Sequence, residues 1–178
     1  PNVRDTVGIG TAGILFLLVL QLVGPIKDGL RPEHPILEVL PGVSLGLKVE
    51  PMGLLFALVA SFLWIVTGLY AVGYMRGHHE KNQTRFFAFF AIAISAAMGV
   101  AFSANLFTLF AFYEMITLCT FPLVTHHGTP EARKAGRVYL GILLSTSIGF
   151  QLLAIIWTWQ LAGTLDFQEG GILAGTAS

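Results

Sequence analysis

Residues 105–125, NLFTLFAFYEMITLCTFPLVT, form an almost unbroken apolar run with a single carboxylate, Glu114, near the middle. As a helix these 21 residues rise about 31 Å, which matches the hydrocarbon core of a bilayer. Glu114 is the tenth of them and would lie close to the midplane. A charged side chain at that depth costs about 2.5–3.5 kcal/mol on insertion scales, so an intramembrane acid marks a functional-site candidate. Two readings are open: an ion-pathway carboxylate, or a protonated and inert acid hydrogen-bonded to a neighbouring helix.

The rest of the chain is built in the same way. Apolar residues make up 54% of the 178 and charged residues only 11%, which excludes an ordinary soluble domain. Net charge is zero, so there is no basic field for nucleic acid. Cys119 is the only cysteine and forms no internal disulfide. The expected fold is an all-α integral membrane protein with five spans, at about 7–24, 52–74, 86–102, 105–125 and 138–161, in one membrane domain. The first run is too long for a signal-peptide core and lacks a small-residue cleavage site. Pro25 is expected to end it. Residues 36–49 read as a short β-hairpin on the membrane surface, turning at Pro41-Gly42, with Val43, Leu45, Leu47 and Val49 alternating against Ser44, Gly46 and Lys48. Polar loops are expected at 76–85 and 126–137, and a Gly-rich loop at 162–178. Seven basic residues (Arg4, Arg76, Lys81, Arg85, Arg133, Lys134, Arg137) fall on one side and three (Lys27, Arg31, Lys48) on the other. That asymmetry places the N-terminus and the 76–85 and 126–137 loops in the cytoplasm.

Several side chains join Glu114 as pathway candidates. Pro122 removes a helix hydrogen bond and frees the carbonyl of Leu118, one turn from Glu114, and Thr117 lies beside that carbonyl. The alternative is a kink that only improves packing. Ser145, Thr146, Ser147 and Gln151 form a polar belt in the fifth span, either the wall of an ion path or hydroxyls bonded to their own helix. Small residues at spacing four (Ala91, Ser95, Gly99, Ser103 and Gly141, Ser145, Gly149) are expected to let helices approach closely. His126 and His127 fall in a loop, as solvated residues or as a proton feed to the Glu114 helix. Adjacent histidines point apart on a helix, so no metal site is expected, and no haem, flavin or iron–sulfur signature is present. All four lysines lie in loops and no arginine lies in a span, so a cationic partner for Glu114 is expected from polypeptide outside this chain.

The runs VSLGLKVEPMGLLFALVASFLWIVTGLYAVGYM, FSANLFTLFAFYEMITLCTFPLVTHH and TPEARKAGRVYLGILLSTSIG resemble the antiporter-like membrane subunits. These are the large subunits of Mrp-type sodium/proton antiporters, the D subunit above all, and their relatives in respiratory complex I and membrane-bound hydrogenases. In that family a glutamate of the fifth transmembrane helix pairs with a lysine of the seventh, and Glu114 matches the glutamate. The resemblance implies that this chain holds helices two to six of about fourteen, as the N-terminal part of a larger subunit. It also implies proton or cation/proton translocation in a bacterial-type cytoplasmic membrane, with other membrane subunits, the lipid bilayer, protons and sodium as partners and no cofactor of its own. A non-transporting scaffold subunit is the competing reading. An intramembrane enzyme using Glu114 with the histidines is a third, set aside because those groups lie at different depths.

Overall fold

The computed structural model describes residues 2–174. Five helical runs in it are long and apolar enough to cross a membrane: Asn2–Lys27, Pro51–Gly77, Gln83–Ala101, Leu106–Val124 and Pro130–Ala162. The first consists of α1 (Asn2–Gln21) and a short α2 (Val23–Lys27). Pro25 lies inside α2 and does not end the run, contrary to expectation. The ladder has already slipped at Leu22, whose N–H bonds the Val19 carbonyl three residues back. Pro25 therefore occupies a new first turn, where the missing N–H has no acceptor to lose.

A β-hairpin follows, β1 (Glu33–Leu40) antiparallel to β2 (Val43–Lys48). Gly42 takes φ +80° after Pro41, the pairing that a type II turn requires. The period-two pattern of β2 does not set its burial: Val43 and Gly46 are the buried positions. Gly46 is held from both sides. Its N–H donates to Thr108 Oγ1 at 3.0 Å, and its carbonyl accepts from Ala104 N–H at 3.0 Å.

The helices α3 (Pro51–Gly77), α4 (Gln83–Ala101) and α5 (Leu106–Val124) pack in chain order, α1 on α3, α3 on α4 and α4 on α5. The last run holds α6 (Pro130–Thr146), a π-helical turn (Ser147–Leu152) and α7 (Leu153–Ala162), and α6 packs on the far side of α5. It starts well before residue 138, so most of the expected 126–137 loop is helix. Thr129 caps it by accepting the Ala132 N–H at 3.1 Å, Pro130 takes the first helical position and Glu131 lies in the first turn.

Close helix contacts fall at three glycines. A Cβ on Gly53 would lie 2.0 Å from the Ala101 carbonyl oxygen, one on Gly99 2.3 Å from the Phe112 ring, and one on Gly136 2.3 Å from Thr125 Cγ2. Of the expected small-residue rows, Gly99 and Ser103 are buried while Ser95 is exposed. Gly141 and Gly149 meet nothing within this chain. Gly99→Val is accordingly expected to destabilise the helix pair by about 1–3 kcal/mol through overpacking. Gly141→Ala should be neutral within the chain. Thermal melting of the two variants in detergent checks this; equal melting temperatures would contradict the packing described.

Candidate functional site

α5 is capped at its N-terminus by Asn105, whose Oδ1 accepts the Thr108 N–H at 2.8 Å and whose Nδ2 donates to the Ser44 carbonyl at 2.9 Å. This fixes the helix to the hairpin and sets its rotation. Phe112 meets Gly99 of α4, whereas Phe121 and Thr125 meet Gly136 of α6. Glu114 is seven residues before Phe121 and eleven before Thr125, so it lies on the α6-facing stripe. Both of its carboxylate oxygens are shielded from solvent, and neither has a hydrogen-bond partner. The position is about 13 Å along α5 from the Gly136 contact. In an antiparallel neighbour that level corresponds to the turn around Ser145 and Ser147.

The expected polar belt divides here. Gly136, Leu140, Leu143, Ser147 and Gln151 are among the less exposed positions of the last helical run, and Ser147 is only 5% exposed. Ser145 and Thr146 are exposed on the opposite side. Thr146 Oγ1 donates to the carbonyls of Ile142 and Leu143, at 3.0 and 2.8 Å, and Ser147 Oγ donates to those of Leu143 and Leu144, at 3.0 and 3.3 Å. Hydroxyls bonded back onto the preceding turn in this way load its carbonyls. The π-helical turn starts immediately afterwards and contains Gly149 and Gln151. π-turns inside helices recur at functional sites, and nothing in the apolar pattern marked this one.

Thr117 does not bond the Leu118 carbonyl. It is buried, and its hydroxyl donates to the Tyr113 carbonyl at 3.2 Å. Leu118 is 54% exposed, which puts it at the open edge of α5, with Pro122 one turn further on. His126 and His127 follow the end of α5, about 18 Å along the axis from Glu114, and neither hydrogen-bonds it. His127 Nδ1 lies 3.9 Å from Glu80 Oε2. Among the described residues, no group of three or more His, Cys, Asp or Glu side chains is arranged to hold a metal.

One buried acid escaped the sequence reading. Asp5 is 7% exposed and lies between two guanidinium groups. Arg4 Nε reaches its Oδ1 at 2.7 Å, Arg76 Nε reaches Oδ2 at 3.0 Å, and Arg76 Nη2 also bonds Oδ2. Arg4 continues to Gln83 Oε1 at 2.9 Å and lies over the Phe87 ring at 4.8 Å. The network joins α1, α3 and α4 at the end opposite the hairpin, the loop end of the bundle. In the sequence these residues look like ordinary charged flanks; only the 71-residue separation of Asp5 and Arg76 brought together shows otherwise. At the hairpin end, Glu50 bridges Lys48 (2.8 Å) and Arg31 (3.3 Å), and its carboxylate holds the Lys48 ammonium above the usual lysine range.

Comparison with known proteins bears directly on this arrangement. Residues 41–87 match the model for the complex I NADH-ubiquinone oxidoreductase chain 5 N-terminus. Residues 103–174 match that for the transmembrane part of NADH:quinone oxidoreductases and Mrp antiporters. The chain belongs to the antiporter-like membrane subunits related to complex I. Chloroplastic NAD(P)H-quinone oxidoreductase subunit 5 of Chaetosphaeridium globosum is 24% identical over 174 residues, covering 93% of this chain and 26% of the relative. The putative antiporter subunit mnhD2 of Staphylococcus aureus is 28% identical over 163 residues, covering 90% of this chain and 32% of the relative. The chain thus spans about a quarter to a third of these relatives. In fold it superposes on a chain of the Mrp complex of Dietzia sp. with a TM-score of 0.71 at 19% identity, covering 93% of this chain and 31% of that one. A chain of an archaeal membrane-bound sulfane sulfur reductase gives the same TM-score at 20% identity, covering 91% and 33%. Antiporter-like subunits of this kind belong to multisubunit membrane complexes, and this chain is a multi-pass membrane protein of that class.

The Asp5 network provides a direct check on the packing of α1. Removing one partner of a shielded ion pair leaves a charge uncompensated. Arg76 is part-exposed, so Arg76→Leu is expected to cost about 1–3 kcal/mol rather than the larger value for a fully buried pair. Asp5→Asn combined with Arg76→Leu should recover part of that loss. A double-mutant cycle by thermal melting measures the coupling, and a coupling of zero would contradict the network.

Proposed function

We propose that this chain is part of a proton-translocating, antiporter-like subunit and that Glu114 is its proton carrier. The observation that carries the reading is a carboxylate on the α6-facing stripe of a membrane-spanning helix, with both oxygens shielded and neither hydrogen-bonded. An ionised carboxylate in that setting is costly. Its charge becomes tolerable when a cation comes within about 4–6 Å, and the proton returns when the cation withdraws. That coupling is a switch. Among the described residues no cation pairs with Glu114, so in this reading the cation belongs to polypeptide outside these residues, as a further part of the subunit or a neighbour in its complex.

Support for a local path comes from the polar groups at the level of Glu114. Ser147 and Gln151 share the α5-facing stripe, and the π-helical turn disturbs the backbone ladder beside them. Backbone polar groups released from a ladder at membrane depth are tolerated where they line a hydrated cavity or are buried in protein. The Leu118 carbonyl, which has no proline N–H to receive, lies at the open edge of the same helix. Ser145 and Thr146 face away from α5, so any role for them in ion movement runs through another helix packed on that face. In orientation, the basic residues favour a cytoplasmic loop end, with the hairpin outside.

The test is Glu114→Gln in the full-length subunit within its native complex, reconstituted in proteoliposomes. Loss of proton-coupled transport by a hundredfold or more, with the complex assembled in normal yield, is expected. Retention of wild-type transport would overturn the carrier role and leave a scaffold subunit as the better description.

A further inference from the structure

At the loop end, α3 and α4 and the segment following α5 enclose a half-open cleft of about 400 Å³. Tyr70, Tyr74, Phe86, Glu80, His126 and His127 line it. His126 is the unusual member. Both of its ring nitrogens are shielded from bulk solvent and neither has a hydrogen-bond partner in the chain. Its ring packs edge-on against Phe86, with centroids 5.5 Å apart at 74°. Its backbone carbonyl is clamped by Arg85 Nη2 at 2.9 Å. The imidazole is thus held firmly while its chemistry is left free. A neutral imidazole presents one donor and one acceptor, and leaving either unmet costs about 1–3 kcal/mol. The cleft has room for several waters that would meet them.

We infer that this cleft is a proton-loading vestibule for the Glu114 helix, with His126 as the acceptor. Charged and titratable groups face it from each element that encloses it. Glu80, at the mouth and 3.9 Å from His127 Nδ1, collects protons from solvent and offsets positive charge inside. Tyr70 and Tyr74 present hydroxyls from α3, and His78 stacks on Tyr74 at 4.2 Å. Arg85 is tied to the His126 backbone carbonyl rather than to the ring. His126 follows Thr125, the C-cap of α5, which places the ring at the end of the Glu114 helix. A proton arrives through cleft water at one ring nitrogen and the other N–H releases a proton toward the helix. The ring is left as the opposite neutral tautomer, and proton exchange of its two nitrogens with cleft water, or a flip of the ring, resets it before the next transfer.

The inference rests on the Glu114 reading, and its test separates the two. In the full-length subunit within its complex, reconstituted in proteoliposomes with a pH-sensitive dye, His126→Ala is expected to slow proton transport at least tenfold. Millimolar imidazole should restore it, whereas pyrazole, of the same shape but far less basic, should not. A wild-type rate in the variant, or equal restoration by both compounds, would overturn the acceptor role. If His126→Ala fails to assemble, His126→Gln decides: a slow rate in an assembled complex supports the vestibule and a wild-type rate refutes it. Glu114→Gln alone retaining transport, with imidazole-dependent rescue of His126→Ala intact, would remove the carboxylate carrier but leave the cleft.

Discussion

The structure depends on one requirement: peptide groups that leave a helix at the edge of the hydrocarbon must still be hydrogen-bonded. It is most severe where only four residues separate the end of α4 from the start of α5. There the hairpin supplies the partners. Lys48 N–H donates to the Phe102 carbonyl, Ala104 N–H to the Gly46 carbonyl, and Asn105 and Thr108 engage Ser44 and Gly46. On the other side, Leu106 N–H donates to Leu165 and Phe167 N–H to Ala104. Thr108, fully buried, bonds β2 twice with a single hydroxyl, accepting from the Gly46 N–H and donating to the Ser44 carbonyl. A sheet of only two strands would be marginal alone. Stitched to the α4–α5 break, it becomes the clamp that fixes α5 in rotation and depth, and so decides which way Glu114 points.

Rotation of α5 is then divided between two kinds of surface. Toward α4 the contact is close, because Gly99 lets the Phe112 ring reach the backbone. Toward α6 the close contact is at Gly136, near the loop end, and the helices diverge in side-chain character beyond it. At the level of Glu114 the facing residues include a serine and a glutamine rather than a further glycine. A carboxylate without a partner is costly beside tight apolar packing and less so beside groups that can accept or relay a proton. In the function proposed for Glu114, the second kind of surface is the one it uses.

Much of this was readable in the residues. Five apolar runs of bilayer length gave the helices, Pro41-Gly42 gave the hairpin turn, and a lone acid in residues 105–125 gave the site candidate. What failed to show in the sequence failed for physical reasons. The alternation in 43–48 suggested one buried face, yet burial there follows the bonds from Thr108 and Ala104, which are distant in the chain. Pro25 and the polar 126–137 stretch looked like breaks. A proline in a first turn and a Thr129-Pro130 cap both start helices instead. The Asp5 network was invisible because Arg4, Asp5 and Arg76 each sit where charged flanks ordinarily sit, and only tertiary packing distinguishes a solvated flank from a shielded pair.

The π-helical turn connects these local facts. An extra residue in a helix changes the rotational phase of everything after it, so α7 presents a face different from the one a continuous α-helix would present. That phase brings Ile155 into a cluster with Val43 of the hairpin and Leu165 of the returning segment. The same turn therefore satisfies two demands: it keeps Ser147 and Gln151 on the α5-facing stripe and delivers Ile155 to the hairpin. Straightening it would move one set or the other by a large fraction of a turn. A feature that links the packing of the hairpin clamp to the surroundings of Glu114 explains why a helix of this length tolerates a strained ladder in its middle.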